Sequence, residues 1–216
     1  MAMLISDQHK FAFIHTPKCA GDSITQALIP FANVDASRGR AKHWSARRVK
    51  AEFFNESRGR RWDEYETLGV IRNPWQQVHS DYWFCRNSAV PGHELGTWRD
   101  KVIRAKRITF AQFVVDICGE HGRIGPGLFT HYLADERDEA LVKHVVRFEE
   151  LAERWPAICE TIGVGEVELP RVNVTANRPD YREDYDDRSR FLVGRRFAND
   201  IQRFGYSFDG ATRGMR

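Results

Sequence analysis

The chain has 216 residues, of which 42% are hydrophobic and 29% charged, and its formal net charge is +3. This balance excludes a disordered or collagen-like chain; a chain of this length buries about 70% of its unfolded surface, so a single domain spanning 1–216 with a self-sufficient core is expected. No apolar run approaches the roughly 20 residues of a membrane span. The opening MAMLISDQHK has no basic segment followed by an apolar one, so no signal peptide is read and the cytoplasm is the expected compartment.

Phe11–His15 (FAFIH) is a compact apolar run that predicts a strand. It enters a small-residue turn, TPKCAG, and then a helical stretch, Asp22–Phe31, in which Ile24, Ala27 and Leu28 fall at i, i+3 and i+4. Residues 33–43 read as a loop and Ser45–Phe54 as a helix with Ser45 at its N-cap. Thr67–Ile71 predicts a second strand. Asn73 then caps a helix running to about Arg86, and Pro74 at its first position gives up only a donor that would be unpaired anyway. Residues 88–96, with Pro91, Gly92 and Gly96, read as a loop. Thr109–Cys118 predicts a helix, and 119–127, with four glycines and a proline, another loop. Val142–Phe148 predicts a third strand and Glu149–Ile162 a helix. Residues 171–180 read as irregular, Arg188–Phe204 as a last helix ending before Gly205, and no strand is legible after residue 150. The alternation of strands and helices implies an α/β fold with a central, mostly parallel sheet flanked by helices.

The four cysteines, Cys19, Cys85, Cys118 and Cys159, are far apart with no CxxC pair, and none of the eight histidines belongs to an HExxH. Neither zinc ligation nor a metal-dependent mechanism is expected. Charge is uneven: between Arg38 and Arg61 stand nine basic residues (including Arg40, Lys42, Arg47, Arg48 and Lys50) and two acidic ones, a local net of +7. Such a stretch attracts anions: a nucleotide, an acidic glycan or nucleic acid. A solvated loop balanced elsewhere is the plainer reading.

Two segments carry chemistry. Lys18 lies in the turn between the first strand and its helix, where backbone N–H groups and a mobile cation make an anion site. The pattern differs from GxxxxGK[ST], because Lys18 precedes Gly21, with Ser23 and Thr25 beyond it. Arg72 follows the second strand, at the sheet edge where α/β proteins bind ligands, and its planar fork suits a phosphate; Ser80 stands nearly two turns into the following helix. Each segment alone also reads as structure, a surface turn with a lysine and an arginine capping carbonyls.

Together they resemble the PAPS-dependent carbohydrate sulfotransferases. Phe13–Ile24 (FIHTPKCAGDSI) is similar to that family's first motif, "hPKtaGtS". Val70–Pro74 (VIRNP) with Ser80-Asp81-Tyr82 is similar to its second, "RNPxxxxxSxY". Arg147–Leu151 (RFEEL) and Ile201–Tyr206 (IQRFGY) resemble "RfEnL" and "Di..FgY" in the same order. The resemblance implies a P-loop-NTPase-like sulfotransferase fold and transfer of a sulfuryl group from PAPS, leaving PAP, to a hydroxyl of a small molecule or glycan. It implies that Lys18 contacts the 5′-phosphate and the leaving oxygen, that Cys19, Ala20, Gly21, Asp22, Ser23 and Thr25 hold the phosphosulfate, and that Arg72 and Ser80 clamp the 3′-phosphate. No metal is required. Cys19 stands where threonine is common and Asp22 where a small hydroxyl residue is common; an aspartate aimed at phosphates would repel them, so Asp22 is expected to cap the helix or face the acceptor.

A base must take the acceptor's proton, and histidine suits neutral pH. His43, in AKHWSA just before a helix, is the expected base, with His131 and Glu149 behind it. His15 reads as structural or orienting, and His79 as packing or surface. Trp44, Trp98 and Tyr132 are candidates to stack on a sugar, and Asn173, Thr175 and Arg178 to border the site. Two other functions remain open on the sequence: a nucleotide or small-molecule kinase, against which the lysine position and the lack of a clear Walker B carboxylate count, and a nucleic-acid-binding module built on 38–61, against which the small overall charge counts.

Overall fold

The computed structural model describes residues 3–35, 43–90, 97–120, 127–172 and 178–211; Arg38, Arg40, Lys42, Asn173 and Thr175 lie outside them. The first elements are β1 (Leu4–Ser6), β2 (Phe11–Ile14), α1 (Gly21–Leu28), β3 (Val34–Asp35), α2 (Ala46–Phe53) and β4 (Glu66–Ile71). They are followed by α3 (Pro74–Asn87), α4 (Thr97–Arg107), α5 (Phe110–Cys118), β5 (His144–Arg147) and α6 (Leu151–Thr161). The chain ends in α7 (Tyr181–Asp184), α8 (Asp187–Arg196), α9 (Ala198–Phe204), β6 (Tyr206–Ser207) and β7 (Gly210–Ala211). Two compact units result, one of residues 1–72 and 128–173, the other of 73–127 and 174–216. None of the helices among the described residues is long and apolar enough to cross a membrane.

The first unit holds a five-stranded sheet in the order β3-β1-β2-β4-β5. Its middle is parallel as expected: β2 pairs with β4 and β4 with β5. The edge is not. β1 runs antiparallel to both β2 and β3, and β3 lies inside the stretch read as a loop. Every residue of β2 is buried, as are Thr67–Ile71 of β4, which is why these strands read as unbroken apolar runs rather than alternations. Gly69 makes room for a neighbour: a Cβ there would stand 2.3 Å from a Leu133 methyl carbon. Leu133 closes a π-helical turn, Phe129–Leu133, that packs against α2.

The turn from β1 to β2 is tied down by Asp7. Its carboxylate accepts two hydrogen bonds from Arg60, both at 2.6 Å, one from the Tyr65 hydroxyl at 2.7 Å and one from Asn33 Nδ2 at 2.7 Å. The Arg60 guanidinium holds the Asp7 carboxyl far below the usual carboxylate range, against the opposing effect of burial. Burial, together with the bond to Asp7, pushes the Tyr65 phenol up to about 12.

In the second unit Asn73 caps α3 as predicted: its side-chain oxygen accepts the Trp75 N–H at 3.1 Å, with Pro74 at the first helical position. Asn73 Nδ2 donates to the Ser207 carbonyl at 2.8 Å, tying the helix start to the β6–β7 hairpin, which the sequence did not reveal. α3 packs against α4, α5 and α8. α5 starts with a capping box between Thr109 and Gln112. The last predicted helix is two, broken at Phe197, and Gly205 ends α9 in the left-handed region, φ 61°. α4 also went unread: TWRDKVIRAKR is so charged that only its tertiary contacts mark it as a core-facing helix, through buried Val102 and Ala105.

Candidate functional site

The register of the parallel strands sets the site. Ile14 pairs with Gly69, and Ile71 with Arg147, so β2, β4 and β5 all exit at one edge of the sheet. The next residues of the three chains are the loop 15–20, Arg72 and Phe148. Ligands of open α/β sheets bind at this carboxyl edge.

The loop is held in an unusual conformation. Lys18 has φ 62° and Ala20 φ 57°, both left-handed without being glycine. Such residues cost about 1–2 kcal/mol each, and left-handed residues in a turn collect N–H groups on one concave side. Ala20 occupies the N-cap of α1, and alanine has no side chain able to cap. The first turn of α1 thus begins at a site suited to an anion. Thr16 fastens the loop's entry, its hydroxyl donating to the Val70 carbonyl of β4. Cys19 is buried, its thiol directed at the Pro17 carbonyl at 3.3 Å.

Gly21 is required by a close approach. A Cβ on it would stand 2.0 Å from His15 Nε2 and 2.1 Å from Cδ2, because the buried His15 ring lies against its Cα. Of the two roles expected for Asp22, capping α1 is not the one it takes. Ala20 holds the cap position, and Asp22 sits half-buried in the first turn, where a carboxylate complements the helix dipole. Ser23 is buried, and its hydroxyl accepts the Val172 N–H at 3.3 Å. Thr25 is fully buried and donates its one hydroxyl proton to the Gly21 carbonyl at 2.7 Å, which leaves that proton committed within the helix.

Arg72 is 8% exposed and reaches back to the loop: its Nη1 donates to the Lys18 carbonyl at 3.1 Å. Its guanidinium carbon lies 4.1 Å from the centre of the Phe148 ring. The sequence marks Phe148 only as a letter of a motif, and its contact with Arg72 follows from the β4–β5 register.

His43 is brought to the same loop. Its Nδ1 lies 3.2 Å from the His15 carbonyl oxygen, and its ring meets the His15 ring edge-on at 4.8 Å between centroids. A carbonyl can only accept, so Nδ1 carries the proton and the neutral ring keeps its lone pair on Nε2. His43 is exposed and does not cap α2; Ser45 does, accepting the Arg48 N–H. Trp44 is covered by Arg48, whose guanidinium carbon lies 3.8 Å from the ring centre.

Part of the basic stretch is engaged within the chain, Arg60 from a half-buried position and Arg58 and Arg61 on the exposed surface. Arg60 holds Asp7, Arg61 pairs with Asp63 at 3.1 Å, and Arg58 lies over Phe53. His131 stands in the π-helical turn; its basicity is lowered by burial and then by the charge of Arg47. Glu149 is exposed in the turn after β5.

The structure therefore gathers Lys18, Cys19, Ala20, Gly21, Asp22, Ser23, Arg72 and His43 in the first unit, around the ends of β2 and β4. Ser80 belongs to α3 in the second unit, where it is 6% exposed and its hydroxyl makes no hydrogen bond among the described residues. Of the two readings of His79, packing holds: it is buried, with Nε2 2.8 Å from Asp184. Arg178 keeps less of its basicity because burial disfavours its charge.

Residues 1–207 match the family model described as the Sulfotransferase family. No curated protein and no solved structure gives a significant match.

Proposed function

The chain belongs to the sulfotransferase family and transfers sulfuryl groups to hydroxyl acceptors; from that premise we propose that its donor is PAPS, its acceptor a carbohydrate or related hydroxyl compound, and its reaction an in-line displacement. The observation that supports this reading is the contact between Arg72 and the Lys18 turn, 3.1 Å from guanidinium to carbonyl, which joins the arginine to the lysine turn at the sheet's carboxyl edge. The residues fit the donor. The left-handed turn at an N-cap that alanine cannot serve suits the 5′ end, and the arginine fork suits the 3′-phosphate. Ser80 joins the 3′ end through the resemblance alone.

PAPS supplies the activated sulfuryl group. The work left to the chain is positioning and charge stabilisation, as in phosphoryl transfer. Lys18 Nζ offsets the negative charge that builds on the departing oxygen. His43 Nε2 takes the proton of the acceptor hydroxyl, while Nδ1–H on the His15 carbonyl fixes the tautomer and the ring plane. Ser23 and the N–H groups of 20–23 hold the 5′ end. Thr25 supports them from within the helix, its proton held by Gly21.

The test is turnover with labelled PAPS over a panel of hydroxyl acceptors. Lys18→Ala lowers kcat by about 10²–10³-fold, the scale of losing one preorganised charge stabiliser. His43→Ala lowers kcat by about 10²-fold or more with PAP affinity nearly intact. Wild-type turnover in His43→Ala removes it from the mechanism.

A further inference from the structure

Arg72 is asked to do two things at once: present a fork to an anion and hold the carbonyl of a strained lysine turn. A long side chain with about 2 kcal/mol of rotamer freedom does neither reliably unless something fixes its plane. The β4–β5 register supplies that element. Ile71 pairs with Arg147, so the next residues, Arg72 and Phe148, leave the sheet as neighbours. The Phe148 ring centre lies 4.1 Å from the Arg72 guanidinium carbon, well within cation–π range. Arg72 is 8% exposed, so this attraction is little weakened by water. One edge of the guanidinium, Nη1, is committed to the Lys18 carbonyl at 3.1 Å. A guanidinium held against a ring and bonded through one nitrogen to a carbonyl is restricted in its orientation.

We infer that Phe148 is the positioning residue of the donor site: its ring seats the Arg72 guanidinium, so that Arg72 grips the 3′-phosphate and braces the left-handed turn that carries Lys18. This deepens the PAPS reading and rests on it. Phe148 touches neither donor nor acceptor in this role. The two anion-binding groups become mechanically dependent on one ring, and loosening it affects both donor affinity and the placement of Lys18.

The experiment uses Phe148→Leu, which keeps an apolar side chain but removes the ring's quadrupole, and Phe148→Tyr, which restores it. PAP is titrated calorimetrically, and KM for PAPS and kcat are measured separately. Phe148→Leu is expected to weaken PAP and raise KM for PAPS by roughly 3- to 30-fold, with a smaller fall in kcat, and Phe148→Tyr to return both to near wild type. In the double variant with Arg72→Lys, which cannot lie flat on a ring, the loss is smaller than the product of the single losses. A merely structural role for Phe148 would lower thermal stability and leave PAP affinity of the folded protein unchanged, and that result overturns the inference. If wild type itself fails to bind PAP, the donor reading fails. The positioning role then falls with it, because non-additive losses of Phe148→Leu and Arg72→Lys in thermal unfolding would report only a packing contact.

Discussion

Gly21→Ala and Ala20→Gly, adjacent exchanges of the same two residue types, should act in opposite directions. At Gly21 the added Cβ would lie 2.0, 2.1 and 2.6 Å from three atoms of the His15 ring. The ring has nowhere to go: His15 is 3% exposed, stacked on Phe13 at 5.9 Å and edge-on to His43 at 4.8 Å. Overpacking of this kind costs about 1–3 kcal/mol. For a chain of this length that corresponds to a fall in Tm of roughly 2–12 °C. Helix propensity alone predicts the reverse, since alanine is better than glycine in a helix by about 0.5–1 kcal/mol. At Ala20 the left-handed φ of 57° penalises alanine. Glycine relieves about 1–2 kcal/mol of strain there and returns about 0.5–1 through its looser unfolded chain, leaving a net gain of about 0–1.5 kcal/mol, centred at about 0.75. Thermal unfolding followed by circular dichroism reads both. The double variant His15→Ala/Gly21→Ala adds the decisive arm, because removing the ring removes the clash, so its loss should be smaller than the sum of the single losses. A Gly21→Ala protein as stable as wild type, or strictly additive losses, would refute the packing of His15 on Gly21.

Other expectations follow from the same structure. Because folding depresses the Asp7 pKa, its contribution is full above the ordinary carboxylate value of about 4 and shrinks as pH falls below it; Asp7→Asn should flatten the acid limb of a stability-versus-pH curve, and an unchanged limb would discount the Arg60 pair. Tyr65, raised to about 12, contributes stability that is full below about pH 10 and lost as pH rises toward 12, so Tyr65→Phe should soften the alkaline limb. All four cysteines are buried thiols outside any disulfide, and burial pushes the Cys118 thiol up to about 12. A thiol reagent should therefore modify the native protein slowly at neutral pH and the urea-unfolded protein at four sites; rapid native labelling of Cys118 would contradict its burial.

The parts of the fold that the sequence disclosed are those fixed by local chemistry. FAFI and TLGVI lie in strands buried on both faces, so composition alone marks them. Ser45 and Asn73 act as N-caps because their side-chain oxygens reach the N–H groups two or three residues on. What stayed hidden depends on distant partners. β1 is three residues and β3 two, too short for any period, and they exist because β2 offers an edge for β1 to pair with. β6 and β7 are likewise two residues each. In the site, Lys18, Arg72 and His43 were legible as residue types in a pattern. The constraint that Gly21 answers to, the His15 ring, and the seat under Arg72, Phe148, come from packing and register. Of the two roles expected for Asp22, capping the helix and facing the acceptor, the first is excluded because the loop's left-handed path gives the cap to Ala20, two residues earlier.

Calorimetric titration of wild type and Arg72→Ala with PAP and with ADP tests most directly whether one pocket edge grips a nucleotide at both anionic ends. The account predicts that wild type prefers PAP and that Arg72→Ala loses the preference while still binding the 5′ end. Equal affinity for PAP and ADP in wild type, or a PAP preference that survives in Arg72→Ala, would contradict it.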